Sequence, residues 1–174
     1  KIIERRGRLI SIRPTPIALY LIREWIDQCT DTRLLAVIKA IQESEIAKPL
    51  TDSFADQFRY MGHNEKARIM LNNLLRENSP FGNAEVINTE LGSRLFRSFV
   101  EVNPEAVADC LWSVIGSIGI DDLRLIDIGR RNLVWTIEKL CFEPRTFDKG
   151  AEMMMLLAIA ENEHISNNAT GQFV

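Results

Sequence analysis

Only two histidines and three cysteines occur in 174 residues, and glycines never cluster into a phosphate-binding loop. His63 lies in the Gly62–Asn64 turn, and His164 follows Glu161 at i+3. One Glu-x-x-His pair is short of a di-metal carboxylate site, which takes a second such motif and two further carboxylates on facing helices. Gly82, Gly92, Gly116 and Gly119 fit neither GxxxxGK[ST] nor GxGxxG. A P-loop NTPase is therefore excluded within this stretch, and the lack of a GxSxG elbow removes the commonest serine hydrolase arrangement. A hydrolase built on His63 or His164 is the weakest reading. Cys29, Cys110 and Cys141 are odd in number, far apart and set in apolar patterns without CxxC spacing, as expected of reduced, buried thiols. No catalytic residue, cofactor or metal ligand is expected.

Long apolar runs are missing as well. The longest, Met153–Ala160, is too short for a bilayer, and no signal-peptide pattern opens the chain, so a cytoplasmic protein without membrane association is expected. The Asn168-Ala169-Thr170 triplet would matter only in a secreted chain. Strong charge of one sign is missing too: the net charge is -3. Residues 1–13 nevertheless carry five cations against Glu4, a local +4 that leaves -7 for the rest. A mildly acidic body is a poor nucleic-acid surface, and only the N-terminal end attracts phosphate.

What is present is ordinary globular composition, 46% apolar and 26% charged, with strong helical periodicity. Ile2-Ile3 and Leu9–Ile12 flank Gly7, which suits a β-hairpin over residues 1–13, read either as a cap on the helices or as the wing ending a winged-helix domain. Residues 14–174 read as a helical, repeat-like domain. Thr15-Pro16 starts a helix to Gln28, and Thr32–Glu43 forms a second. Pro49–Met61 gives a third, with Gly62 at the C′ position, and Glu65–Glu77 a fourth capped by Asn64. A fifth starts at Ala84 or Thr89 and ends by Val102. Asn103-Pro104-Glu105 opens a sixth to Ile118, and Asp121–Ile128 holds one helical turn.

The last two helices, within Arg130–Ala160, break at Glu143-Pro144. Because MMMLLAIA (153–160) is apolar on every side, it is expected to be covered all round and to form the buried centre. Burying its larger side chains would contribute on the order of 10 kcal/mol before chain entropy. Helix pairs starting near 16, 49, 89 and 130 suggest an all-α fold of stacked antiparallel helix hairpins, a HEAT- or TPR-like α-solenoid, with an irregular closed bundle as the alternative.

Candidate interaction residues follow from charge placement. Arg94 and Arg97 share one helix face, and Arg130 and Arg131 stand at a helix start, where positive charge is mildly unfavourable. They call either for carboxylates on neighbouring helices or for an anionic ligand. Asn167 and Asn168 bond loop backbone or reach a ligand. Trp25, Trp112 and Trp135 lie in different helices and are expected in the core with the indole N–H satisfied; the alternative is interface anchoring, for which Trp135 is the candidate.

The phrases GRLISIRPTPIALYL (7–21), NTELGSRLFRSFVEVNPEA (88–106), GRRNLVWTIEKLCFEPRTFDKGA (129–151) and ENEHISNNATGQF (161–173) resemble the segment that follows the nucleotide-binding core of large bacterial STAND-type P-loop ATPases, antiphage defence proteins among them. The resemblance implies a position after an ATPase module and a winged helix, at the start of a helical sensor. It places the ATPase residues upstream and carries none onto this chain. The expected function is a non-catalytic regulatory, sensor or protein-interaction module, its partner the upstream ATPase module or another protein. The alternatives are a stand-alone structural scaffold and a nucleic-acid-binding module acting through the basic hairpin.

Overall fold

The computed structural model describes residues 3–6, 9–12, 15–76 and 79–161. Asn167, Asn168 and His164 lie outside the described residues, as do Gly7 and Arg8. Two short strands come first, β1 (Ile3–Arg6) and β2 (Leu9–Ile12), paired antiparallel with Ile3 opposite Ile12 and Arg6 opposite Leu9. Among the described residues the elements that follow are helical: α1 (Thr15–Gln28), α2 (Asp31–Gln42), α3 (Ala47–Phe58), a 3-10 turn at Arg59–His63, α4 (Glu65–Leu74), α5 (Ala84–Ile87), α6 (Glu90–Phe99), α7 (Pro104–Ile115), α8 (Ile120–Arg124), α9 (Arg130–Phe142) and α10 (Phe147–Ile159). The architecture is an all-α bundle with a two-stranded N-terminal β pair.

Caps written in the sequence start five of the ten helices among the described residues. The side chains of Thr30, Asn64, Asn83, Thr89 and Asn103 accept hydrogen bonds from Arg33, Ala67, Glu85, Gly92 and Ala106 N–H groups, satisfying donors that the first helical turn leaves unpaired. The fifth expected helix is two: Asn83 and Thr89 each cap their own piece. The chain folds back so tightly between them that a Cβ on Gly92 would lie 2.0 Å from the Val86 carbonyl oxygen. The third helix begins at Ala47, two residues before the expected Pro49, because a first-turn proline has no N–H to lose. Gly62 is not a C′ glycine. It lies inside the 3-10 turn, and a Cβ there would come within 2.7 Å of the Glu101 carbonyl oxygen, so its small size serves close approach of the 3-10 turn to the end of α6. The sixth helix stops at Ile115, short of Ile118, where the Ser117 hydroxyl donates to the Val114 carbonyl and takes over one of the last orphan acceptors.

The centre of the core is aromatic. Phe58, Phe96 and Phe99 are fully buried and, with Phe54 and Phe81, form edge-to-face and stacked pairs with ring centroids 5.4–6.4 Å apart. The expectation that MMMLLAIA is wrapped on every side is corrected. Met153, Met154 and Leu157 are buried, but Met155 and Ile159 are 51% and 64% exposed. α10 packs against α9, α7 and α8, all of which precede it, and none of the described residues covers its far side. The three tryptophans are half-buried rather than sealed in the core.

Long-range polar bonds share one spacing. Among the described residues, side-chain hydrogen bonds that reach more than seven positions along the chain join residues 35 to 43 apart, with two exceptions. The exceptions are Cys110 to the Phe81 carbonyl and Arg130 to the Leu157 carbonyl. Partner numbers rise together: Lys48 meets Glu90, Asp52 meets Arg94, the Ala55 carbonyl meets Ser98, and Arg59 meets Glu101. α3 and α6 therefore lie side by side and parallel. α6 and α9 do likewise, through Ser93–Asn132 and Glu101–Lys139, and so do α7 and α10, whose ends are bridged by Glu105–Arg145 and Asp109–Lys149. Among the described residues, no helix is long and apolar enough to cross a membrane.

Candidate functional site

The parallel row α3, α6, α9 gathers most of the residues singled out from the sequence. α6 reads ELGSRLFRSF: Leu95, Phe96 and Phe99 go inward, and Arg94 and Arg97, at i and i+3, emerge together on the outer side. Its small buried serines let both neighbours come close. The Ser98 hydroxyl donates to the Ala55 carbonyl at 2.7 Å, and Ser93 Oγ accepts from Asn132 Nδ2 at 3.1 Å.

Arg94 is held from two sides, Nε to Asp52 Oδ1 at 3.0 Å and Nη2 to Asp56 Oδ1 at 2.8 Å. Arg97, one turn on, has a different partner. Its guanidinium lies over the Trp135 ring with Cζ 4.0 Å from the centroid, and Arg131 approaches the same ring at 5.4 Å. Among the described residues no carboxylate is within ion-pair reach of Arg97. Lys139 lies one turn beyond Trp135 on α9 and contacts Glu101, which Arg59 Nη2 also approaches at 3.4 Å. A recess of about 40 Å³ opens among Ala55, Asp56, Arg59, Arg94, Arg97, Ser98 and Lys139.

The electrostatics of this recess are those of crowded cations. Burial, then the nearby guanidiniums of Arg94 and Arg59, lower the Arg97 pKa, with Asp56 opposing. Burial, then Arg59 and Arg97, hold the Lys139 ammonium below its ordinary value although Glu101 touches it. The cationic form of each is disfavoured first by burial and then by its neighbours, and an arriving anion would relieve the repulsion between them.

Arg130 has a purely internal place. It is 2% exposed, and its Nη1 and Nη2 donate to the Leu123 and Leu157 carbonyls at 3.2 and 2.8 Å, while Nε has no hydrogen-bond partner. The positive charge at the start of α9 is explained by the last turn of α10, whose carbonyls lack helical donors and attract cations. Arg130 is thus separated from Arg94, Arg97, Arg131 and Trp135, which converge.

Sequence reading missed Arg59, Glu101, Lys139, Asp52 and Asp56. A signal for three of the contacts was present: Lys48/Glu90, Asp52/Arg94 and Arg59/Glu101 are opposite charges 42 positions apart. His63 is exposed at the end of the 3-10 turn, and the described residues hold no group of His, Cys, Asp or Glu arranged for a metal. Cys29 and Cys110 are free and buried and Cys141 half-buried; burial pushes the Cys110 thiol up to about 11.

Two other hollows carry less chemistry. A groove of about 780 Å³ between α2 and α5–α6 is mostly apolar, with Leu35, Ile38, Phe81, Val86 and Leu91 among its walls. A hollow of about 120 Å³ between α3 and α6 is lined by Thr51, whose buried hydroxyl has no partner, and by the Lys48–Glu90 and Asp52–Arg94 pairs, so it is electrically balanced. No family model, curated protein or solved structure matches the chain.

Proposed function

We propose that this chain is a non-catalytic interaction module, a stack of antiparallel helix pairs of the α-solenoid kind, acting as the regulatory or sensor segment of a larger STAND-like ATPase. The observation that carries the stacked reading is the constant reach of the long-range polar bonds, 35 to 43 residues, between parallel helices. In a stack each pair touches only the pairs before and after it, so every contact has a sequence separation of about one repeat. The paired starts at residues 15, 47, 90 and 130 are 32, 43 and 40 residues apart, two of the three intervals falling within that range.

A stack of this kind leaves an extended side surface, and here that surface holds a half-buried tryptophan between two arginines, residue types that anchor protein interfaces. The link to an ATPase rests on the sequence phrases alone. Regulation would consist of this surface being contacted differently in two states of the parent protein. In the parent chain, Trp135→Ala should change the rate or the activation threshold of nucleotide hydrolysis at least several-fold, with the circular dichroism of the helical segment unchanged. Hydrolysis indifferent to Trp135→Ala and to Arg97→Gln, or a parent with no nucleotide turnover at all, would overturn the proposal.

A further inference from the structure

The geometry points to a single phosphate-type oxyanion site in the recess between α3, α6 and α9, with Arg97 and Lys139 as its principal ligands and Arg59 at its rim. The inference goes beyond the scaffold reading, because the recess can be disabled with the helix stack intact.

Charge bookkeeping sets this recess apart from the ion pairs around it. Arg94 is matched by two carboxylates, Asp52 and Asp56. Arg59 and Lys139 share a single carboxylate, Glu101, and Arg97 has none within reach among the described residues. Over the whole cluster, Arg59, Arg94, Arg97 and Lys139 face Asp52, Asp56 and Glu101, four cations against three carboxylates, which leaves one positive charge over at one small opening. A singly charged oxyanion cancels that surplus, and phosphate offers the donors of Arg97, Lys139 and Arg59 four oxygens where a carboxylate offers two.

Shape agrees with charge. The recess of about 40 Å³ compares with roughly 10–15 Å³ for one water on the same kind of measure. It therefore accepts one compact oxyanion and leaves no room for a sugar or a base, which would have to project outward. The walls are prepared for such a guest. The Trp135 ring, its centroid 4.0 Å from Arg97 Cζ, restrains that guanidinium before any anion arrives. The Ser98 hydroxyl donates its proton to the Ala55 carbonyl at 2.7 Å, and that bond fixes the floor.

Trp135 also supplies the readout. The purified chain is titrated with inorganic phosphate, with sodium acetate and with sodium chloride, all at one ionic strength, while tryptophan fluorescence and the thermal midpoint are followed. Phosphate should give a saturable response at least tenfold stronger than acetate, and chloride none. Arg97→Gln and Lys139→Gln should each weaken it about tenfold or more with unchanged circular dichroism. Arg97→Lys keeps the charge and loses the fork, and serves as a second variant if Arg97→Gln fails to fold; it should weaken binding as well. Trp135→Phe should abolish the fluorescence change and keep the thermal shift. A phosphate response equal to that of chloride, equal potency of acetate, or full binding in the folded Arg97 and Lys139 variants would each overturn the assignment. None of those results bears on the stacked-helix reading.

Discussion

Arg130 shows how one side chain can look functional in sequence and be structural in space. Removing its guanidinium leaves the Leu123 and Leu157 carbonyls without donors in a buried setting and opens a void. Each orphaned acceptor costs about 1–3 kcal/mol, so Arg130→Ala should destabilise the fold by roughly 3 kcal/mol, measured as a lower denaturant midpoint with an unchanged m value. Asp127 makes a pH-dependent contribution. Its carboxylate accepts from the Ile128 N–H at 2.6 Å and from Asn88 Nδ2 at 3.3 Å, which holds its pKa below the usual 3.8. A depressed carboxylate pKa stabilises the folded state above the unfolded value and loses that effect as pH falls through the folded value. Denaturant midpoints between pH 6 and 2.5 should therefore fall less steeply for Asp127→Asn than for the unaltered chain. Equal slopes would mean that the two hydrogen bonds do not favour the charged form. Arg130 depends on a partner 27 positions away, and Asp127 combines its neighbour Ile128 with a partner 39 positions away, so neither role was fully legible beforehand.

At the scale of elements, the junctions between helix pairs are the sensitive points. Asn88 closes one of them: its Nδ2 donates to the Leu125 carbonyl and to Asp127, and its Oδ1 accepts from the Gly129 N–H at 3.1 Å. Gly129 sits so close to the preceding layer that a Cβ would lie 2.2 Å from the Ile87 carbonyl oxygen. Gly129→Ala must push α9 away from α5 and should cost about 2 kcal/mol or more, as overpacking against rigid backbone does. A thermal midpoint within a degree of the unaltered chain would show that the junction yields. Helix positions were readable because caps and periodicity are local: Asn64, Thr89, Asn103 and Pro104 mark starts that the structure reproduces. The split of the fifth helix and the 3-10 turn after Phe58 were not, because each answers to a backbone contact with a neighbouring segment rather than to propensity.

For the whole molecule, a stack and a closed bundle differ in what survives the loss of one end. A chain ending at Gly119 keeps α1 to α7. If neighbouring pairs supply most of each other's stability, its helical ellipticity should fall roughly in proportion to the helices removed, and the remainder should still melt with a transition. A truncated chain with no helical signal would favour a closed bundle instead. By itself the amino-acid sequence determined the helical class, most helix starts and the want of a phosphate loop, because capping, periodicity and motif spacing act within one or two turns. Tertiary structure alone decided that the aromatic cluster, not the methionine-rich helix, is the centre. It also decided that Arg130 is buried while Arg97, among the described residues, is left without a carboxylate, and that Arg59 and Lys139 meet over Glu101. Those outcomes turn on which faces meet across some forty residues of chain, and a side chain's charge partner or cover is set by that meeting rather than by its neighbours in sequence.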